Sequence, residues 1–110
     1  MEIDKEILKG YIDAILMSLL NNRSMYGYEL AKTVREISDE TFELKEGTLY
    51  LSLKRLEKNG YVKSDWSDGD SGGGRRKYYK ITNGGIDYIQ NKKLEWKFMK
   101  NLIDKFLGEV

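Results

Sequence analysis

The spacing of apolar residues along this chain changes from a helical period to an extended one and back, and this order restricts the fold more than any other feature. Apolar residues recur at helical spacing over residues 5–21, which predicts a first helix. Ser24 can cap a second helix that ends near residue 37. A third helix is predicted over residues 47–58, and Gly60 would end it.

Two short runs after the third helix have the composition of strands. YVKSDW at 61–66 and KYYKIT at 77–82 are rich in aromatic and β-branched residues. The connection between them includes residues 72–74, all glycine, so we predict a hairpin with a flexible tip. Thr82 then caps a long C-terminal helix. The predicted fold is mainly α with a small β-hairpin, in the order of a winged helix-turn-helix.

The third helix has one apolar face and one basic face. Leu49, Leu53 and Leu56 follow the i, i+4, i+7 spacing and are predicted to face the core. A basic helix face is often only a solvated surface, and the helix alone does not separate that interpretation from a nucleic-acid contact. The residues on or beside the opposite face are Thr48, Tyr50, Leu51, Lys54, Arg55 and Lys58.

The charge of the chain is balanced overall but uneven along its length. There are 19 Lys and Arg residues against 18 Asp and Glu residues. Residues 47–82 carry eight bases and four acids, whereas the rest of the chain carries eleven bases and fourteen acids. Because a local basic patch marks a nucleic-acid binder better than total charge does, the third helix and the hairpin form the candidate surface.

The residue types that are missing narrow the chemistry. The sequence has no His and no Cys, which excludes imidazole and thiol catalysis and the usual zinc sites. No pair of acids suited to a catalytic cleft stands out, so we expect no enzyme, no cofactor and no metal. No apolar run approaches the roughly 20 residues that span a bilayer, and the N-terminus is acidic where a secretory signal is basic. We expect a cytoplasmic protein without a membrane partner.

Three blocks of the sequence are similar to the signature of one bacterial family. MYGYEL at 25–30, EGTLYLSLKRLEKNGYV at 46–62 and GGRRKYYKIT at 73–82 resemble the PadR family of transcriptional regulators. The similarity extends over nearly the whole chain. The short tail of the chain resembles that of the small subfamily, whose members have a single C-terminal helix. Some of those members sense aromatic drug-like compounds.

The resemblance implies a homodimeric repressor that binds a palindromic operator in double-stranded DNA. Residues 1–82 would form the winged helix-turn-helix DNA-binding domain, and residues 83–110 would form a dimerisation helix within the same compact unit. The third helix would enter the major groove, and the hairpin, or wing, would follow the backbone or the minor groove. The implied DNA contacts are Tyr26, Thr48, Tyr50, Leu51, Ser52, Lys54, Arg55, Lys58, Arg75, Arg76 and Lys77.

Two interpretations of Leu51 stay open on that surface, because a leucine exposed by chance is as plausible as one that packs on a thymine methyl group. A second class of function also stays open for the whole chain. A protein-interaction module would keep the winged helix without recognising DNA. Such a module would not need the cations of the wing and of the third helix together, so their combination favours a regulator.

The last helix carries apolar residues at alternating spacings of three and four, interrupted once by Lys92. A second subunit would cover this seam, with the first helix as its partner. The predicted dimer-interface residues are Tyr11, Ile15, Ile89, Met99, Ile103 and Phe106.

Trp96 lies in the same seam and has two interpretations. It is an ordinary interface aromatic, or, as the resemblance to drug-sensing members implies, it lines a pocket for a small aromatic ligand whose binding releases the operator. Those relatives carry an acid at the position of Lys100. A basic rim here would favour anionic or neutral aromatic ligands over cationic ones. The implied pocket residues are Ile7, Ala14, Ser18, Lys93, Trp96 and Lys100.

Overall fold

The structure, a computed structural model, describes residues 4–67 and 75–108. Within these ranges a mostly helical domain carries a small antiparallel sheet. The glycines at 72–74, predicted to form a flexible wing tip, lie outside the described residues. The elements in chain order are helices α1 (Lys5–Leu8) and α2 (Ile12–Leu20), strand β1 (Met25–Tyr26), helices α3 (Gly27–Ile37) and α4 (Glu46–Lys58), strands β2 (Val62–Ser67) and β3 (Arg76–Ile81), and helix α5 (Asn83–Leu107).

The third predicted helix, α4, has the orientation that its apolar spacing requires. Leu49, Leu53 and Leu56 are at most 2% exposed and belong to one core with buried residues of α2 and α3. Gly60 follows the helix with a φ of +78°, a left-handed conformation that glycine adopts readily, and the helix ends there as predicted. Helices α3 and α4 form the helix-turn-helix, and β2 and β3 form the wing.

The first predicted helix is interrupted. A turn separates α1 from α2, so the single helix expected over residues 5–21 is wrong. Asp4 caps the short α1, since its carboxylate accepts a hydrogen bond from the backbone N–H of Glu6 at 2.9 Å. Gly10, whose helix propensity is low, lies in the turn.

The second helix begins later than Ser24, the residue predicted as its N-cap. Met25 is buried and pairs with Tyr79 of β3, which keeps the backbone extended as far as Tyr26. Tyr26 is therefore the N-cap residue, and its backbone N–H donates to Glu29 Oε1 at 3.2 Å. The strand β1 was not predicted, because two residues are too few to show a period.

The wing hairpin forms as predicted and becomes part of a three-stranded sheet within the described residues. Strand β3 lies in the centre, paired antiparallel with β1 on one side and β2 on the other. Tyr79 faces inwards and is buried, whereas Tyr78, on the other side of the strand, is half-buried.

Helix α5 begins against the core at a close backbone contact. The Thr82 hydroxyl accepts a hydrogen bond from the N–H of Gly85 at 3.1 Å, which confirms Thr82 as the cap. A Cβ atom at Gly85 would meet the carbonyl oxygen of Tyr61 and would lie 2.6 Å from Met17 Cε and 2.7 Å from Ile81 Cγ1. Only glycine fits there without moving the backbone.

We predict that Gly85→Ala destabilises the protein by about 1–3 kcal/mol, because the new methyl group would push α5 away from a backbone carbonyl. Gly84→Ala is the matched control. A Cβ at Gly84 has its nearest neighbour at 3.6 Å, so alanine there should change stability by less than about 1 kcal/mol. Urea unfolding at one fixed protein concentration measures both. Equal stabilities for the two variants would contradict the close-contact argument.

Candidate nucleic-acid interface

The outer face of α4 presents most of the side chains predicted to contact DNA. Thr48, Tyr50, Leu51, Lys54 and Lys58 are all exposed, and Leu51 is 65% exposed despite its size. Their exposure is as expected, and their contacts with DNA remain predictions. The apolar Leu51 is surrounded in the sequence by polar and basic residues, a combination suited to a groove that offers both phosphates and methyl groups.

Ser52 does not belong to this face, and its predicted role in DNA contact is wrong. Its exposed fraction is 0%, and its hydroxyl donates a hydrogen bond to Asp13 of α2. Ser52 lies three residues after Leu49 and four before Leu56, so helical geometry places it on the core side.

Arg55 is half-exposed, but its guanidinium is engaged within the protein. Its Nε donates to Asp13 Oδ2 at 2.8 Å and its Nη2 donates to Asp13 Oδ1 at 2.7 Å, a bidentate ion pair. The contact of Arg55 with DNA, which the sequence suggested, therefore competes with an internal partner that the sequence did not suggest.

The environment of Asp13 favours its charged form. Burial has the largest single effect and raises the pKa of the carboxyl group, whereas the hydrogen bonds from Arg55 and Ser52 lower it. The positive charges of Arg55 and Lys92 act in the same direction, and the net pKa lies below the ordinary value of 3.8. Asp13 is therefore ionised at neutral pH.

The predicted wing cations lie beside aromatic rings at the end of the hairpin ladder where Ser67 pairs with Arg76. The Arg76 guanidinium carbon is 4.8 Å from the centre of the Tyr26 ring, and the Arg75 guanidinium carbon is 5.5 Å from the Trp66 ring. Tyr26 also packs edge-on against Tyr78, with ring centres 5.4 Å apart. The rings restrict where the two arginines point while leaving both residues exposed.

The wing is also joined to α4 by charge. Lys77 Nζ lies 3.8 Å from Glu57 Oε1, and Ser64 of β2 donates a hydrogen bond to the same carboxylate. Glu57 thus connects α4 with both strands of the hairpin. Like Arg55, Lys77 therefore already has an acidic partner within the protein.

Sequence reasoning missed three of the residues that shape this surface: Asp13, Glu57 and Trp66. Each acts through a partner on another element, which spacing along one helix or strand does not reveal. Trp66 had a usable signal, since it faces Lys77 across the hairpin in the predicted antiparallel pairing. Neither carboxylate had one.

The second predicted surface lies on α5, away from the wing. Trp96 is 53% exposed, Phe106 is 78% exposed, and Ile103 is also exposed. Met99 is half-buried because the Tyr11 hydroxyl lies 2.7 Å from its sulfur, and the Tyr11 ring packs edge-on against Trp96. These five side chains are brought together on one side of the chain.

Two residues predicted for that surface lie in the core of the single chain. Ile89, expected at the dimer interface, is 3% exposed, because the first turns of α5 pack on the winged helix. Ala14, expected to line a ligand pocket, is 8% exposed within α2. Both predictions are corrected on that ground. Ile15, also predicted for the interface, is half-buried.

The remaining pocket residues are spread over the surface. Ile7, Lys93 and Lys100 are exposed, and the hydroxyl of Ser18 donates to the carbonyl of Ile15 at 2.6 Å. Ser18 and Ile15 line a mainly apolar cavity of about 360 Å³ between α2 and α3, and Trp96 is not among its lining residues. A pocket that unites the predicted set would require a second subunit.

Comparison with known proteins decides the family. The model of the transcriptional regulator PadR-like family matches residues 15–91, which include the helix-turn-helix, the wing and the start of α5. The chain belongs to the PadR-like family. It is a transcriptional regulator with the winged-helix fold of that family.

Solved PadR-like structures agree with this assignment. A transcriptional regulator from Clostridium thermocellum is 44% identical, covers 93% of this chain and 98% of its own, and superimposes with a TM-score of 0.86. A PadR family transcription regulator from Clostridium difficile is 50% identical, with 89% and 99% covered and a TM-score of 0.79. An uncharacterized protein of Lysinibacillus sphaericus is 35% identical over 105 residues, 96% of this chain and 95% of that protein.

PadR-like regulators bind DNA and usually dimerise. The two surfaces described above, one basic and one apolar, match these two tasks. In residues 4–67 and 75–108, no helix combines the length and the apolar character needed to cross a bilayer.

Gly27→Ala is predicted to weaken DNA binding with little effect on stability. A Cβ atom at Gly27 would meet the Tyr50 hydroxyl and lie 2.8 Å from its Cζ. Because Tyr50 is exposed, its ring can move aside at low cost, but it would leave its place against Gly27 of α3. We expect operator affinity to fall about three- to tenfold, the effect of losing one contact, with the melting temperature nearly unchanged. Fluorescence anisotropy measures the operator affinity, with Gly84→Ala as the control. An unchanged affinity would show that Tyr50 has no part in binding.

The Asp13 ion pair should make stability depend on pH in one direction. Because the folded-state pKa of Asp13 is below its unfolded value, the pair contributes its full stability above about pH 4, and the contribution is lost as pH falls through the folded pKa. Wild type should therefore exceed Asp13→Asn in stability at pH 7, and the difference should shrink below pH 4. Urea unfolding at both pH values tests this. A difference that grows on acidification would contradict it.

Proposed function

We propose that this chain is a homodimeric repressor that binds a palindromic DNA operator and releases it when a small aromatic ligand binds between the subunits. The observation that carries the proposal is the common location of two basic elements. The exposed lysines of α4, Lys54 and Lys58, lie on the helix that Glu57 joins to the wing, whose arginines lie over aromatic rings. Such a repressor acts in the cytoplasm, where bacterial DNA lies.

The DNA-binding surface we infer is smaller than the sequence suggested. Ser52 is removed from it by burial, and Arg55 and Lys77 already have acidic partners. Lys54 and Lys58 are suited to phosphates or guanine edges in the major groove, and Thr48 and Tyr50 to phosphate oxygens. Arg75 and Arg76 are suited to the backbone or to a narrow minor groove.

The apolar surface of α5 supports a dimer. Phe98, Phe106 and Leu107 are each more than 70% exposed, an arrangement that a helix in water rarely keeps unless another chain covers it. A two-fold axis through this region would place two α4 helices on the same side of a duplex, as a palindromic site requires. Residues 1–82 then serve as the DNA-binding part and residues 83–110 as the dimerisation part, with Ile89 shared between them.

The ligand part of the proposal depends on Trp96. Its ring is half-exposed beside Tyr11 at the apolar surface, so two copies across a dimer axis offer flat faces for a planar guest. Lys93 and Lys100 are exposed on the same helix and favour anionic or neutral aromatic compounds. Release of DNA requires that the ligand bind the two arrangements of the dimer with different affinity.

The testing experiment is selection of tight binders from a pool of random duplex DNA. We expect wild type to enrich a palindromic sequence, with an affinity that decreases steeply as salt is added. Arg76→Ala should weaken binding and reduce the salt slope by about one. Lys105→Ala, which removes the same charge from the last turn of α5, is the matched control and should leave both unchanged. Planar aromatic acids are then titrated against the complex.

Failure to enrich any sequence at physiological salt would contradict the proposal and favour a winged-helix protein-interaction module. Equal losses for Arg76→Ala and Lys105→Ala would indicate attraction by total charge rather than by a wing contact. An operator that no planar aromatic compound releases would remove the ligand part of the proposal and leave the repressor part standing.

A further inference from the structure

The carboxylate of Asp13 joins α2 to α4, the helix that we propose enters the major groove. Asp13 lies in the first turn of α2, and only 20% of its side chain is exposed. Its two oxygens accept three hydrogen bonds from α4, two from Arg55 and one from Ser52. This polar joint lies beside the leucine core that otherwise holds the two helices together.

The geometry of this joint restrains α4 in a way that the leucines do not. Apolar packing is non-directional, so it resists separation of two helices more strongly than sliding or rotation. A guanidinium fork on a carboxylate has a fixed plane and direction, and the Ser52 hydroxyl holds the same carboxylate one helical turn away. Two anchors on one helix fix both its rotation and its axial position.

That restraint matters for the outer face of the helix. Leu51 precedes Ser52, and Lys54 precedes Arg55, so each anchor is adjacent in sequence to a residue that faces outwards. A small rotation of α4 would change the direction of both exposed side chains. Contacts with base edges tolerate little such error.

We infer that Asp13 is a positioning residue for DNA recognition, and that Arg55 connects two helices instead of contacting phosphate. The inference rests on the proposed function and refines it. It removes Arg55 from the residues proposed to contact DNA, and it adds Asp13 as a residue that supports binding without touching DNA. A third charged group borders the joint, because Lys92 of α5 acts on the Asp13 carboxylate.

The direction of the effect separates this role from simple electrostatics. A carboxylate near a DNA-binding surface repels phosphates, so an Asp13 without a positioning role would oppose binding. Its removal would then tighten binding and free Arg55 for an extra phosphate contact. A positioning role gives the opposite sign.

The experiment measures operator affinity and its salt slope for Asp13→Asn. We expect affinity to fall about tenfold, the effect of losing a charged hydrogen-bonded pair, while the slope stays at the wild-type value. Tighter binding, or a slope increased by about one, would overturn the inference, because Arg55 would then have reached a phosphate. Glu36→Gln, which breaks the α3 pair between Glu36 and Lys32, removes the same charge and should leave affinity unchanged.

Arg55→Lys tests the joint from the other side. It keeps the charge but loses the bidentate geometry, so affinity should fall with an unchanged slope. Arg55→Gln should also leave the slope unchanged, whereas Lys54→Gln should reduce it by about one. A reduced slope for Arg55→Gln would identify Arg55 as a phosphate contact and overturn the inference.

Hydrogen exchange provides a readout that does not need DNA. Asp13→Asn should speed amide exchange in Glu46–Lys58 and leave Gly27–Ile37 unchanged, and Glu36→Gln should leave Glu46–Lys58 unchanged. If wild type binds no duplex, the proposed function fails. The restraint on α4 is then supported by faster exchange in that helix and overturned by unchanged exchange. If Asp13→Asn does not fold, the salt slopes of the two Arg55 variants decide.

Discussion

Burial of one face of α4 determines what its other face can present. Leu49, Leu53 and Leu56 are held in the core, and turning any one of them into water would cost about 1.5–3 kcal/mol. Tyr50, Leu51 and Lys54, which lie between these leucines in the sequence, are thereby held outwards. The sheet packs against the same core through Tyr79, so the wing and α4 are supported by one set of apolar contacts.

The elements that could be predicted are those with a local signal. The leucine period of α4, the left-handed Gly60 and the Thr82 cap each depend on residues within a few positions of one another, and each appears where expected. The strand β1 and the Asp13–Arg55 pair could not be predicted from period or propensity. Arg55 and its carboxylate partner are 42 positions apart, and only the packing of α2 on α4 brings them together.

Charge counted along the sequence overstates what is available to a polyanion. The segment over residues 47–82 appears strongly basic, yet Arg55 and Lys77 have acidic partners inside the protein. Burial removes Ser52 from the candidate site, and the DNA contacts of its other residues stay predictions. The same charges serve a second purpose, because the carboxylates that neutralise them join α4 to α2 and to the hairpin. Part of the basic character of this segment therefore holds α4 and the hairpin in place.

The pairing of β1 with β3 has a consequence for how the chain folds. Met25 and Tyr79 lie on either side of α3, α4 and β2 in the sequence, and their contact closes these elements into one loop. Helices can form early from local contacts, but a sheet closed over such a distance forms late. During synthesis, the sheet is incomplete until β3 has left the ribosome. A nascent chain that stops before Ile81 would carry the recognition helix without the strand that orders the wing.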